Sequence, residues 1–124
     1  MQEIKFRAWD KEKKQMLFVT FEFLMAEKSY FRDALRYKKY ILMQYTGLKD
    51  KNGKEIYEGD ICKFHSFMEN KTKIADVIYI DGCFELSNSE LVKEVLEEYV
   101  GLEIIGNIYE NKELLKCSLN KKNK

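Results

Sequence analysis

Residues 43–61 read MQYTGLKDKNGKEIYEGDI, and this stretch decides the fold. Between short apolar runs it carries Gly47, Asp50, Asn52, Gly53 and Gly59, together with Tyr45 and Tyr57. Glycine reaches positive φ without steric cost, and Asp and Asn side chains bond to backbone a residue or two further on. A segment with this spacing bends strands back on one another within a compact β structure. None of its side chains is arranged to do chemistry, so it speaks for architecture rather than activity.

Working outward, Ile4, Phe6 and Ala8 alternate with Lys5 and Arg7, the pattern of a half-buried strand over residues 3–9. Asp10 and the charged cluster Lys11 to Lys14 make a turn, and Met16 to Phe23 returns as a second strand. Phe31, Ala34, Leu35 and Lys38 suit a short helix, and Tyr40 to Tyr45 is again strand. Beyond the turn-rich stretch, strands are expected over Asp60–Ser66 and Lys73–Ile80. The sequence Ile80-Asp81-Gly82-Cys83 then suits a type I′ hairpin leading into a strand over Cys83–Leu86. Ser87 and Glu90 have capping-box spacing ahead of an amphipathic helix from Asn88 to Tyr99, which Gly101 closes. Leu102 to Tyr109 is a last strand with a bulge or bend at Gly106, and Asn111 caps a short helix through Leu115. Six or seven short strands closed by tight turns predict a mainly β protein. The architecture expected is a small, partly open β-barrel of short antiparallel strands with one amphipathic helix.

The chain has 124 residues, 45% of them hydrophobic and 14% aromatic, enough for one domain with its own core over residues 1–124. Its formal charge of +1 conceals an asymmetry. Residues 1–54 hold 13 Lys+Arg against 7 Asp+Glu, a net of +6, whereas residues 55–115 hold 5 against 14, a net of −9. Residues 116–124 add 4 Lys and no acid and are expected to form a disordered basic tail. The opposite charges can attract within the fold or between copies of the protein. No apolar run is long enough for a signal peptide or a membrane span, so a cytoplasmic protein without membrane contact is expected. Cys62, Cys83 and Cys117, an odd number without CxxC spacing, fit reduced thiols.

Three segments, in order, resemble the YopX family, small proteins found mostly in bacteriophages and prophages. They are Ile4-Lys5-Phe6-Arg7-Ala8-Trp9-Asp10, the central MQYTGLKDKNGKEIYEGDI, and Ile105-Gly106-Asn107-Ile108-Tyr109-Glu110-Asn111. The resemblance spans almost the whole chain apart from residues 25–39 and the tail. It departs at Lys112, where the family pattern often has Pro. It implies a phage origin and a mostly β fold with a small barrel, and it brings no reaction, substrate or catalytic residue. As the family signature it marks Gln44, Tyr45, Thr46, Gly47, Asp50, Asn52, Gly53, Tyr57, Gly59, Asp60, Gly106, Asn107 and Tyr109, all expected to be structural.

Candidate chemistry is thin. A calcium loop centred on Gly53 would put its first and twelfth ligands on Leu48 and Gly59, which cannot serve. Cys62 and His65 have the spacing of a zinc pair, but residues three apart on a strand point to opposite faces. The cysteines are therefore expected to pack as small hydrophobes, with no metal and no cofactor. Glu55, Glu58 and Asp60 could form an acid pair or a magnesium site, although acids among turn residues more often accept backbone hydrogen bonds. Basic and aromatic residues give the remaining candidate: Lys5, Arg7 and Trp9 on one face of the first strand, and Arg32, Arg36, Tyr37, Lys38, Lys39 and Tyr40 further on. Such pairing tracks phosphates and stacks bases. The reading that follows is a non-enzymatic phage accessory protein acting by self-association and by binding a host or phage protein. The alternative is a small β-barrel nucleic-acid-binding protein using Lys5, Arg7, Trp9, Arg32, Arg36 and Lys38.

Overall fold

The structure is a computed structural model that describes residues 4–20, 39–66, 70–87 and 101–115. Strands account for 62% of it and helix for 4%, so the chain is mainly β, with its sheet curled into a half-barrel. The first four strands are β1 (Phe6–Asp10), β2 (Gln15–Val19), β3 (Tyr40–Lys49) and β4 (Glu55–Tyr57). The second four are β5 (Asp60–Ser66), β6 (Lys71–Ile80), β7 (Cys83–Leu86) and β8 (Glu103–Asn107). They form two four-stranded arrays, ordered β2-β1-β3-β4 and β7-β6-β5-β8, and every pairing is antiparallel.

Turn chemistry explains the hairpins. Asp10 Oδ1 accepts the amides of Glu12 and Lys13 at 3.0 and 3.1 Å, which closes the β1–β2 turn. Asp81 and Gly82 take φ of 52° and 82° between the paired Ile80 and Cys83, the mirror-image turn that the Asp-Gly pair predicts. Asp50 Oδ1 accepts the amides of Asn52 and Lys54 at 2.8 and 2.9 Å, while Gly53 takes φ 84°, so the 50–54 loop folds on its own leading residue.

Five features differ from expectation. β1 is buried on both faces: Arg7, Ala8, Trp9 and Asp10 are all buried, whereas Ile4 is 73% exposed. A strand held between β2 and β3, with the turn after β4 laid over its Arg7 side, has no solvent face to alternate with. Gly47 ends no strand; it sits at φ 88° inside β3, where the register with β4 shifts between Tyr45 and Lys49. The Thr46 hydroxyl fills that irregularity, donating to Ile56 O at 2.7 Å and accepting from Leu48 N at 3.1 Å. β4 is a separate strand that the sequence did not single out, and β6 begins two residues earlier than expected. The last difference is at Asn111, whose Oδ1 accepts the Asn107 amide at 3.2 Å and so turns back to β8 rather than onto the short helix after it. The short helix expected on Phe31, Ala34, Leu35 and Lys38, the helix expected over 88–99, and the basic tail lie outside the described residues.

The larger core cluster contains Ile56 and Leu102 with Cys62, Phe64, Ala75, Val77 and Leu86 from the second array. Ile56 belongs to the first array, so this core joins the two. Gly59, at φ 86°, stitches them again, donating to Val77 O and accepting from Ile108 N, both at 2.9 Å. The bend foreseen in the last strand is present: Ile61 pairs with Gly106 and Cys62 with Ile104, which leaves Ile105 as the extra residue. A Cβ on Gly106 would lie 2.5 Å from Asn111 Oδ1 and 2.8 Å from its Cβ. Gly106→Ala is therefore expected to lower stability by about 1–3 kcal/mol, read as a shift of the urea midpoint at unchanged slope.

Candidate functional site

Where the free side of β4 approaches β8, the surface opens into a cleft of about 450 Å³. Lys54, Glu55 and Tyr57 form one wall, Ile104 to Asn107 the other, and Phe18 stands at the rim. Arg7 and Asp60 lie at its floor.

Arg7 reaches the floor from β1 because its side of that strand faces the turn between β4 and β5. Its Nη2 is 2.9 Å from Asp60 Oδ1, with the two side chains 8% and 4% exposed, and donates to Glu58 O at 3.1 Å. The guanidinium also lies over the Tyr57 ring, 4.9 Å from its centre, a favourable cation–π arrangement. Among the described residues its buried Nε has no partner. Asp60 Oδ2 accepts the Tyr57 amide at 2.8 Å. Burial pushes the Asp60 carboxyl up, and the Arg7 charge and the Tyr57 amide offset part of that rise without cancelling it.

Asp50 is the counterexample. Burial also raises its carboxyl, but the amides of Ile104, Lys54 and Asn52 together hold it below the ordinary value. The Ile104 bond to Oδ2, at 3.1 Å, ties the 50–54 loop to β8 and so fixes one end of the cleft. Asn107 fixes the other: its Oδ1 accepts the amides of Tyr109 and Glu110 at 3.0 and 2.9 Å.

The candidate residues fall as follows. Lys5 pairs with Glu55 and lies 5.3 Å from the Tyr45 ring centre. Trp9 is buried and stacks on Tyr109 at 5.5 Å. The expected cationic face of β1 is thus turned inward: Arg7 neutralises an acid and Trp9 packs on a ring. Lys39 pairs with Glu12 at 3.2 Å, and Tyr40 is in the small cluster with Ala8. Arg32, Arg36, Tyr37 and Lys38 lie outside the described residues. Glu58 Oε1 accepts the Gln44 amide at 2.9 Å, so the three acids of the 55–60 segment hold Lys5, backbone and Arg7 respectively.

Cys62 is fully buried, whereas His65 on the same strand is exposed, as a three-residue separation requires. Burial, with lesser contributions from Asp60, Asp50 and Asp76, pushes the Cys62 thiol up to about 12, so it is protonated at neutral pH. Sequence reasoning missed Phe18, Lys54, Ile104 and Ile105 as cleft residues. Phe18 had only its place on an edge strand to signal it, and the other three had none.

A half-barrel of two antiparallel arrays, joined across a buried ion pair and a turn-rich linker, defines the class. The model of the YopX protein family matches residues 5–116, and the chain belongs to that family. It is 32% identical over 69 residues to the SPbeta prophage-derived uncharacterized protein YopX of Bacillus subtilis (strain 168). That alignment takes in 51% of this chain and about half, 52%, of the relative. The crystal structure of protein EF1440 from Enterococcus faecalis is similar with a TM-score of 0.61 and 27% identity, covering 93% of this chain and 99% of that one. The crystal structure of Bacillus subtilis yopX shares the fold with a TM-score of 0.56 at 23% identity, over 93% and 97% of the two chains. No helix among the described residues is long and apolar enough to cross a membrane.

Asp60→Asn strands the Arg7 guanidinium in the interior, and a loss of about 3–5 kcal/mol is expected by urea unfolding at pH 7. Asp50 sets a pH dependence. Its folded carboxyl titrates below the ordinary 3.8, so it contributes stability above that value and loses it as the pH falls through the lowered one. Asp50→Asn is expected to cost about 1–3 kcal/mol at pH 7 and to flatten the decline in melting temperature below about pH 4.

Proposed function

We propose that the chain is a non-enzymatic prophage accessory protein of the bacterial cytoplasm that acts by binding proteins, first of all a second copy of itself. One observation carries the reading. The charge boundary in the sequence lies close to the division of the fold: the described residues up to 54, which supply most of the first array, hold 9 Lys+Arg against 3 Asp+Glu, and those from 55 to 115, which add β4 and supply the second array, hold 4 against 9. Two copies set antiparallel about a two-fold axis bring each basic array against an acidic one, and the same contact is made twice.

Apolar surface beside the basic array supports the same contact. Ile4, Phe18 and Leu42 are 73%, 61% and 41% exposed, and a groove of about 550 Å³ runs along Ile4, Phe6, Phe18 and Val19. Aromatic residues of this kind anchor interfaces. The non-enzymatic part rests on where the acids are used: Asp50, Glu58 and Asp60 accept backbone amides or Arg7, and the Cys62 thiol is held protonated. Arg7 and Trp9, two of the residues on which the nucleic-acid alternative relies, are buried, which weighs against it.

Light scattering across a concentration series tests the proposal. At low salt the mass is expected to rise from the 14.9 kDa of one chain to about twice that. Raising salt from about 0.01 to about 1 M, which shortens the screening length from about 30 to about 3 Å, is expected to lower it again. Phe18→Ser should weaken association by about tenfold. A mass that stays at one chain at every concentration would sink the reading.

A further inference from the structure

We infer that two copies of the chain meet through the β6–β7 hairpin of one seated in the apolar groove of the other, with Tyr79 and Ile80 covering Phe18 and Ile4. This names the contact residues of the self-association proposed above and rests on that reading.

Exposed apolar surface selects both halves of the contact. Among the described residues the exposed large apolar side chains fall into two groups: Ile4, Phe18 and Leu42 beside or within the first array, and Tyr79 and Ile80 at the end of β6. The first group borders a concavity, the groove along Ile4, Phe6, Phe18 and Val19. The second is convex. Tyr79 to Gly82 are all exposed at a tight turn, and a Cβ added to Gly82 would meet no atom of the described residues within 4 Å. A projecting tip suits an open groove of about 550 Å³, and each covers apolar surface that the other leaves in water.

Charge decides that the groove meets the hairpin rather than a second groove. Residues 4–20, which carry β1, β2 and most of the groove, hold 5 Lys+Arg against 2 Asp+Glu. Residues 76–87, the paired part of the hairpin, hold 3 Asp+Glu and neither Lys nor Arg. Groove on groove sets two basic segments face to face, and hairpin on hairpin two acidic ones. Only the crossed arrangement brings opposite charges together.

Both rings are held before they meet. Tyr79 packs edge-on against Phe84 with 5.0 Å between ring centres, and Phe18 edge-on against Tyr57 with 5.9 Å. A side chain already fixed by a neighbour loses little rotamer freedom on binding, and aromatic side chains are common interface anchors. Because each copy carries a groove and a hairpin, a two-fold pair makes the contact twice.

The test is a mixing experiment read by light scattering. Phe18→Asp puts an acid in the groove opposite the acidic hairpin, and Tyr79→Lys puts a base on the hairpin opposite the basic segment. Each alone is expected to weaken association by about a hundredfold. An equimolar mixture of the two should recover to within about tenfold of the parent. The mixed pair holds one unaltered contact and one in which the introduced lysine faces the introduced aspartate. If either variant melts early, Phe18→Ser and Tyr79→Ser take their place, each weakening association by about tenfold, with the mixture about threefold tighter than either alone. The parent's own mass is read first and separates two failures. A parent that stays at the mass of one chain at every concentration removes the self-association reading and this inference with it. A parent that associates leaves that reading standing; the inference is then overturned by a Tyr79→Lys protein that associates as tightly as the parent, or by a mixture that associates no better than its components.

Discussion

The ion pair between Arg7 and Asp60 is the contact on which both arrays depend. Arg7 belongs to β1 in the first and Asp60 opens β5 in the second. A buried pair of this sort adds little net stability against an apolar substitute, since two ions must leave water to make it. It instead fixes one arrangement. A guanidinium that bonds Asp60 and Glu58 O while lying on Tyr57 leaves a single orientation for the turn between β4 and β5, and any slip of β1 would bury an uncompensated cation.

Asp50 does for the loop what Arg7 does for the turn. Its two oxygens accept three backbone amides, two from its own loop and one from β8. Those amides hold the carboxylate ionised and spend it on positioning backbone. Glu58 and Asp60 each accept a backbone amide as well. Abundant acid in the 50–60 stretch therefore serves geometry.

Local chemistry was legible in the sequence, and pairings distant along the chain were not. The Asp81-Gly82 turn, the strand over Asp60–Ser66 and the irregularity at Gly106 each follow from a few neighbouring residues, and each is present. Gly47 misled because the same positive φ that ends a strand also serves a bulge within one; only the partner strand decides which. Lys5, Arg7 and Trp9 misled for a related reason. Alternation assumes one wet face, and it fails when a strand is covered on both sides by segments far along the chain. The cleft was hidden altogether, because its walls come from β4 and β8 and its floor from β1 and β5.

Gly59 carries a consequence for how the molecule is made. It bonds at once to Val77 and Ile108, and β5 beside it is flanked by β6 and β8. Among the described residues the first array pairs only residues up to Tyr57, and Asp60, which holds its Arg7, follows three residues later, so it can assemble on the ribosome once these have emerged. β5 must then wait for the far end of the chain before its second neighbour exists. Non-local pairings of this kind make maturation slow and leave a strand edge open meanwhile. The interval between synthesis of β6 and arrival of β8 is thus when the nascent chain is most exposed to capture by a neighbour or a chaperone.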